Sequence, residues 1–264
     1  MEILINVFVM AGIGAVIGGI LAYAAKKFEV KIDPTIEEIV HVLPGVNCGG
    51  CGFPGCYSYA EAIAGGKVSL QLCSAGGTKV IEDISGIMGI EKVPMEDRKV
   101  ARVICGGSIT KTRKKYDFKI QIKSCANSNL YFGGDKSCGY GCLGYGDCVK
   151  VCPFDAVKIN KDGISKVIEE KCTACGKCVS ACPKNIIRIL PFKSKHTVLC
   201  SSKEKGIVAK KMCEVSCIAC GICAKNCPEN AIIVENNLAK IDFIKCTNCG
   251  ICKTKCPTKA IEGI

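Results

Sequence analysis

Eight cysteines fall between Cys138 and Cys182, in the runs CGYGCLGYGDCVKVCP and CTACGKCVSACP, and each run ends in Cys-Pro. Thiolates at this spacing, three on a short loop and a fourth set apart, suit the corners of a four-iron, four-sulfur cube. Cys48-Gly-Gly-Cys51-Gly-Phe-Pro-Gly-Cys56, with Cys73 beyond it, is a second arrangement of three plus one. Its glycines let the backbone turn tightly and bring N–H groups close to cluster sulfurs. Structural zinc also takes four cysteines, but usually as two C-x-x-C knuckles. Disulfides suit the pattern poorly, because neighbouring C-x-x-C thiols close no long loop. The expected chemistry is one-electron transfer through [4Fe-4S] clusters, with no catalytic residue of the chain's own. No P-loop, nicotinamide fingerprint or nucleophile constellation is present, and Gly12-Ile-Gly14 lies inside an apolar run where it cannot open a nucleotide-binding helix. His41 and His196 are isolated and fit no Rieske pairing, so they read as surface or structural residues.

The remainder of the chain repeats the central group. Cys138 to Cys142 is a step of four matched by Cys213 to Cys217, and Cys142, Cys148 and Cys152 are spaced like Cys217, Cys223 and Cys227. Cys125 to Cys138 and Cys200 to Cys213 are both steps of thirteen. The half-units end alike, in CPFDAVKI, CPKNIIRI, CPENAIIV and CPTKAIEG. Two tandem copies of one duplicated unit explain this. On the pattern of a bacterial two-cluster ferredoxin, three cysteines of each loop share a cluster with the Cys-Pro cysteine of the other half. Cys172, Cys175 and Cys178 then go with Cys152, Cys217, Cys220 and Cys223 with Cys256, and Cys246, Cys249 and Cys252 with Cys227. Cys182 completes the first loop of the first copy, which has Tyr145 where Cys220 stands and is left with Cys138, Cys142 and Cys148. The potential of that cluster is expected to differ from the others. Five [4Fe-4S] clusters account for these residues. Cys105, Cys125, Cys200 and Cys213 remain and read as buried small hydrophobes, with a sixth cluster as the alternative.

The elements that must position these loops are small. With 24 cysteines in 264 residues, 6% aromatic content and no Trp, the chain suits two or three modules stapled by metal better than one large core. Residues 1–26 read as a transmembrane anchor, built on the uncharged apolar run Ile3–Ala25, which is long enough to cross a bilayer and carries GxxxG at Gly14 and Gly18. Lys26 and Lys27 follow it, which places the later residues on the cytoplasmic side of the cell (inner) membrane in a single pass. A signal peptide cleaved near Ala22-Tyr23-Ala24 is the rival, against which stands the missing basic start. A linker over 27–33 leads to a Gly-rich cluster domain over 34–80. There Asp33-Pro34 opens a helix that Pro44-Gly45 stops, and a second helix runs from Tyr57 to Ala64. Residues 81–135 read as a connector with a helix over Ile81–Ile90 and a strand over Ala101–Ile104. Its basic run of Lys111, Arg113, Lys114 and Lys115 reads as a solvated face, or else as a docking patch for an acidic electron donor. Module 1 spans 136–192, a connector 193–212, and module 2 213–264. The fold class is α+β: one transmembrane helix, a small four-iron domain, then two tandem ferredoxin-like modules that each hold two [4Fe-4S] clusters.

The formal net charge of +12 raises a nucleic-acid reading. Each oxidised cluster with its four thiolates carries about −2, so five offset about 10 of those charges and no nucleic-acid partner is expected. The order of membrane helix, CGGCGFPGC with a distant fourth cysteine, and CGYGCLGYGDCVKVCPFDAV with its ferredoxin-like partner resembles the B subunits of the Rnf complexes, ion-translocating ferredoxin:NAD oxidoreductases. The resemblance covers nearly the whole chain, and the second copy suggests a cluster-rich form. It implies an electron-transfer subunit of a sodium- or proton-pumping translocase, with soluble ferredoxin as donor and other membrane and peripheral subunits carrying flavin and the nicotinamide site. An iron–sulfur subunit of another membrane hydrogenase or reductase is the nearer alternative.

Overall fold

A computed structural model describes residues 2–28, 33–90, 97–117 and 124–263. Helix α1 (Glu2–Lys27) is apolar along its length, and its segment Ile5–Lys27 is long and apolar enough to cross a membrane. None of that segment is buried against the rest of the chain. Most of the expected linker, residues 29–32, lies outside the described residues.

The next unit packs three helices: α2 (Pro34–Val42), α3 (Cys56–Ala64) and α4 (Gly77–Met88). Asp33 caps α2 by accepting the Thr35 N–H at 2.9 Å, and Pro34 fills the first helical position, where no N–H is needed. Ile39, Tyr59, Ile63, Val80 and Ile84 form the core, and the Tyr59 hydroxyl donates to the Ser69 carbonyl at 2.9 Å. Helix α4 starts at Gly77 where the sequence suggested Ile81, and ends at Gly89, whose left-handed φ of 63° stops it. It contributes to this core across residue 80, so the unit extends to Met88.

The remaining elements follow the same order twice. First come β1 (Lys99–Val103), α5 (Cys125–Leu130), α6 (Asp147–Lys150), β2 (Val157–Ile159), β3 (Ser165–Val167), α7 (Lys177–Ser180) and β4 (Ile187–Pro191). Then come β5 (His196–Val198), α8 (Gly206–Met212), α9 (Ile222–Lys225), β6 (Ile232–Glu235), β7 (Leu238–Ile241), α10 (Ile251–Thr254) and β8 (Ile261–Gly263). In each copy the outer strands pair antiparallel, β1 with β4 and β5 with β8, and the inner ones form hairpins, β2 with β3 and β6 with β7. The match extends to single bonds: Ile104 N–H donates to the Ile186 carbonyl at 2.7 Å, and Leu199 N–H to the Ala260 carbonyl at 2.8 Å. Cys105 and Cys200 therefore hold equivalent positions, each just past the first strand of its copy. This corrects two expectations. Residues 99–103 are a structural strand of the first copy, and the thirteen-residue step that matched Cys125 to Cys200 is a coincidence of spacing.

The two copies are strapped together through these equivalent loops. Gly106 N–H donates to the Leu199 carbonyl at 2.9 Å, and the Ser201 hydroxyl to the Ile104 carbonyl at 2.8 Å. Glu214 N–H bonds the Lys111 carbonyl at 2.9 Å and Arg113 N–H the Met212 carbonyl at 3.1 Å. The basic run is thus a backbone strap, while the side chains of Lys111, Arg113, Lys114 and Lys115 stay exposed. Arg102 clamps the same region from inside. Its buried guanidinium pairs with Glu169 at 2.8 Å and donates to the carbonyls of Phe192 and Ser194 in the link between copies.

Removing one partner of such a pair strands the other charge, at a cost of about 3 kcal/mol. Arg102→Ala is expected to lower the denaturant midpoint at which the iron-loaded chain loses its visible absorbance. An unchanged midpoint would show that the clamp does not stabilise the fold.

Candidate metal centre

The cysteine loops share one backbone path. In Cys172–Cys178, Cys217–Cys223 and Cys246–Cys252, the residue before the middle cysteine and the glycine after it are both left-handed: Ala174 and Gly176 (φ 57° and 81°), Ala219 and Gly221 (55° and 73°), Asn248 and Gly250 (59° and 79°). This winding turns three sulfurs toward one side, and glycine is the residue that adopts it without steric cost. Gly144 and Gly146 have φ of 81° and 82° on either side of Tyr145. The first loop of the first copy therefore keeps the winding and lacks only the middle sulfur.

Cys125 lies beside the sulfurs of that loop. One cavity of about 380 Å³ is lined by Cys125, Cys142, Cys148 and Cys182. Ser124 caps α5 by accepting the Asn127 N–H at 3.1 Å, and the Asp147 carboxylate accepts the Ala126 N–H at 2.9 Å, which ties the start of α5 to the loop. Cys138 does not line this cavity. It faces another, of about 360 Å³, together with Cys105, Cys200 and Cys213. The loop set of Cys138, Cys142 and Cys148 expected from spacing is thus divided between two places. The reading of the four leftover thiols as unrelated buried hydrophobes does not fit their positions.

The other groups are compact. Cys48, Cys51, Cys56 and Cys73 line a cavity of about 350 Å³, and the Asn47 carboxamide oxygen accepts the Cys56 N–H at 2.7 Å. Cys217, Cys223, Cys220 and Cys256 line a cavity of the same size. Cys172, Cys175 and Cys178 gather with Cys152, and Cys246 and Cys249 gather around Cys252, with Cys227 in the same core. Each of the 24 cysteines therefore falls into one of six groups of four. Backbone N–H groups point at many of the sulfurs: Ala156 at Cys152 (3.4 Å), Ala231 at Cys227 (3.3 Å), Ala260 at Cys256 (3.3 Å), Ala101 at Cys172 (3.3 Å) and Ala239 at Cys217 (3.5 Å).

These surroundings fit a bound cluster. Burial, and after it the neighbouring Cys172 and Cys175 sulfurs, push the Cys178 thiol up to about 12. Burial and Cys217 likewise push Cys223 up to about 11. Such sulfurs ionise only when a cation compensates them, and iron does so while the N–H donors stabilise the remaining charge. Among the described residues no group of three or more His, Cys, Asp or Glu is placed to hold a single metal ion. A polynuclear cluster suits four spread sulfurs around a cavity better than zinc does. The two histidines join no group: His41 is exposed, and the His196 ring packs where a Gly250 side chain would be.

Comparison with known proteins gives the same chemistry. Residues 43–75 match a family model described as a putative Fe-S cluster, 139–189 one 4Fe-4S dicluster domain, and 171–231 and 216–260 another. The chain is 45% identical over 243 residues (92% of this chain, 72% of the relative) to the B subunit of the Na(+)-translocating ferredoxin:NAD(+) oxidoreductase complex of Acetobacterium woodii. It is 46% identical over 235 residues (89% and 82%) to the B subunit of the proton-translocating ferredoxin:NAD(+) oxidoreductase complex of Clostridium ljungdahlii. With the B subunit of the ion-translocating oxidoreductase complex of Methanosarcina acetivorans it shares 40% over 262 residues (99% and 98%). The chain belongs to the family of Rnf B subunits. It is an iron–sulfur electron-transfer subunit of an ion-translocating oxidoreductase complex, and its apolar helix accords with membrane association. The segments matched by the family models leave out Cys105, Cys125 and Cys138. A signal for Cys105 was present in the sequence, since Val103-Ile104-Cys105 parallels Val198-Leu199-Cys200.

Gly50 brings the first group against the next. A Cβ added there would stand 3.1 Å from the Cys175 backbone and 3.2 Å from its Cβ. Gly50→Val is expected to keep the iron content and slow electron transfer at least about threefold by forcing the two loops apart, while Gly86→Ala, in open space on α4, leaves the rate unchanged. An unaltered rate in Gly50→Val would show that electrons do not cross at this contact. Cys125→Ser is expected to remove about four irons per chain, the content of one cluster. Full iron content in that variant would return Cys125 to the role of a core thiol.

Proposed function

We propose that this chain crosses the membrane once through α1 with its cysteine-bearing part in the cytoplasm. It takes electrons from reduced soluble ferredoxin and delivers them toward the membrane partners of the complex. Its α+β body comprises the Gly-rich unit, now extended to Met88, and two tandem ferredoxin-like modules. Five cysteine sets hold [4Fe-4S] clusters: Cys48/Cys51/Cys56/Cys73, Cys125/Cys142/Cys148/Cys182, Cys152/Cys172/Cys175/Cys178, Cys217/Cys220/Cys223/Cys256 and Cys227/Cys246/Cys249/Cys252. Such clusters supply reversible one-electron exchange. The chain's residues hold the sulfurs, keep water from them and bring successive sets into contact.

The observation that carries this reading is the succession of sets along the body. Within each copy the Cys-Pro cysteines cross over between the two loops, and Gly50 joins the first set to Cys175. The two exposed cysteines, Cys220 and Cys249, both lie in the second copy, one on each of its loops. Ile244, just before the last loop, is 97% exposed, and Lys245, Lys253 and Lys255, which flank the loop's cysteines in sequence, are exposed too. An exposed apolar side chain and exposed lysines on the segment that carries an accessible sulfur suit the docking of an acidic ferredoxin. Lys26 and Lys27 at the end of α1 support the cytoplasmic side for this body.

The test is ferredoxin-dependent NAD reduction by the purified complex, measured with and without sodium. Absence of that activity in a complex with full iron content would overturn the donor assignment. The double variant Lys245→Glu, Lys253→Glu is expected to raise the KM for ferredoxin about tenfold at low salt while leaving kcat and iron content unchanged. The effect should fade as salt rises. A KM equal to that of the unmodified complex would place docking on another face.

A further inference from the structure

Four sulfurs that share no loop converge where the two copies meet. Cys105, Cys138, Cys200 and Cys213 line a cavity of about 360 Å³, against about 350 Å³ for the cavity of Cys48, Cys51, Cys56 and Cys73. Internal symmetry places them. Cys105 and Cys200 follow the first strands β1 and β5, while Cys138 and Cys213 each stand four residues before the first cysteine of a loop, Cys142 and Cys217. An added Cβ at Gly107 would lie 3.2 Å from Cys213 Sγ and 3.7 Å from Cys105 Sγ, so these two sulfurs face one another across a missing side chain.

The lining is built for negative charge. The Thr112 hydroxyl donates to Cys213 Sγ at 3.6 Å, and the Cys142 N–H to Cys105 Sγ at 3.3 Å. Lys136 is 7% exposed and gives its Nζ to the Gly107 carbonyl at 3.2 Å. This ammonium lies close to Cys105 and to Cys142 of the adjoining set; beside neutral thiols it would go largely uncompensated, whereas beside thiolates and iron it balances a net negative group. Isolated core cysteines account for one buried thiol, not for four from two symmetric pairs around one cavity with a buried cation.

We propose that Cys105, Cys138, Cys200 and Cys213 hold a sixth [4Fe-4S] cluster, which joins the two ferredoxin-like copies into one path. The inference rests on the electron-relay reading above and adds the link between its halves. Cys142, whose N–H touches Cys105, belongs to the adjoining set of the first copy. The backbone N–H of Cys217, in the adjoining set of the second copy, likewise faces Cys200. The exchange moves one electron at a time, oxidising the donor set by one and reducing the acceptor set by one, with no bond broken and no proton moved.

The full-length chain, purified without oxygen in detergent and loaded with iron and sulfide, provides the test. About twenty-four irons per chain are expected, as are six components in potentiometric EPR. Cys213→Ser and Cys105→Ser should each fall to about twenty irons and lose the same component, one that Cys125→Ser retains. Should the serine variants fail to fold, Thr112→Val decides: it is expected to keep all its iron and to lower the midpoint of one component, the one lost in Cys213→Ser wherever that variant folds. About twenty irons in the unmodified chain, or Thr112→Val with every midpoint unmoved, overturns the sixth cluster and leaves the five-cluster reading standing. Iron far below twenty would take that reading down as well.

Discussion

Crowded, buried sulfur is the constraint on which the rest of this protein depends. Four of the ten buried residues in the core of the second copy are cysteines: Cys200, Cys217, Cys223 and Cys252. A core of that size gains little from Val198, Ile232, Leu238 and Ile261 alone, and the strands around it are three or four residues long. The Cys178 and Cys223 thiols, pushed to about 12 and about 11, resist ionisation unless a cation arrives. Iron entering such sites would release the ligands' protons and add its binding energy to that of the small core.

The same constraint explains the backbone. Left-handed residues on either side of a middle cysteine wrap the chain around a volume instead of along a strand, and this leaves N–H groups aimed inward. Where Tyr145 replaces the middle cysteine, Gly144 and Gly146 keep the winding. A fourth sulfur reaches the cavity from outside the loop, that of Cys125, fixed through Ser124 and Asp147. The geometry of the cavity is kept more strictly than the origin of its sulfurs. The junction set extends this logic, since each of its sulfurs lies outside a binding loop and is placed by the symmetry of two strand ends and two loop entrances.

What the sequence made legible was local. Three-plus-one spacing identified the loops, Asp33-Pro34 the start of α2, and the apolar run the helix α1. Pairings across long stretches were not legible from spacing. Strand β1 bonds to β4 some ninety residues later, Lys99 opposite Pro191, and no periodicity in five residues announces such a partner. Spacing alone favours Cys125 as the match of Cys200, because each stands a step of thirteen before the next cysteine. The hydrogen bonds of Ile104 and Leu199 show that the true match is Cys105, so the first copy carries an insertion whose added cysteine serves the neighbouring cavity.

Charge ties these points together. The formal net charge is +12 with thiols counted neutral. Oxidised clusters with four thiolates carry about −2 each, so the five or six clusters proposed above would offset about 10 to 12 charges and leave a nearly neutral loaded subunit. The basic balance is then a property of the apo sequence, and it says little about nucleic acid. Some of the compensation is local, as at Lys136 beside Cys105. Elsewhere the lysines stand exposed around the last loop, where near-neutrality of the whole leaves their field as a short-range, salt-sensitive patch beside the most accessible sulfurs. An acidic electron donor docking there, as proposed, would be held by a field that salt weakens, close to the sulfurs that must take its electron.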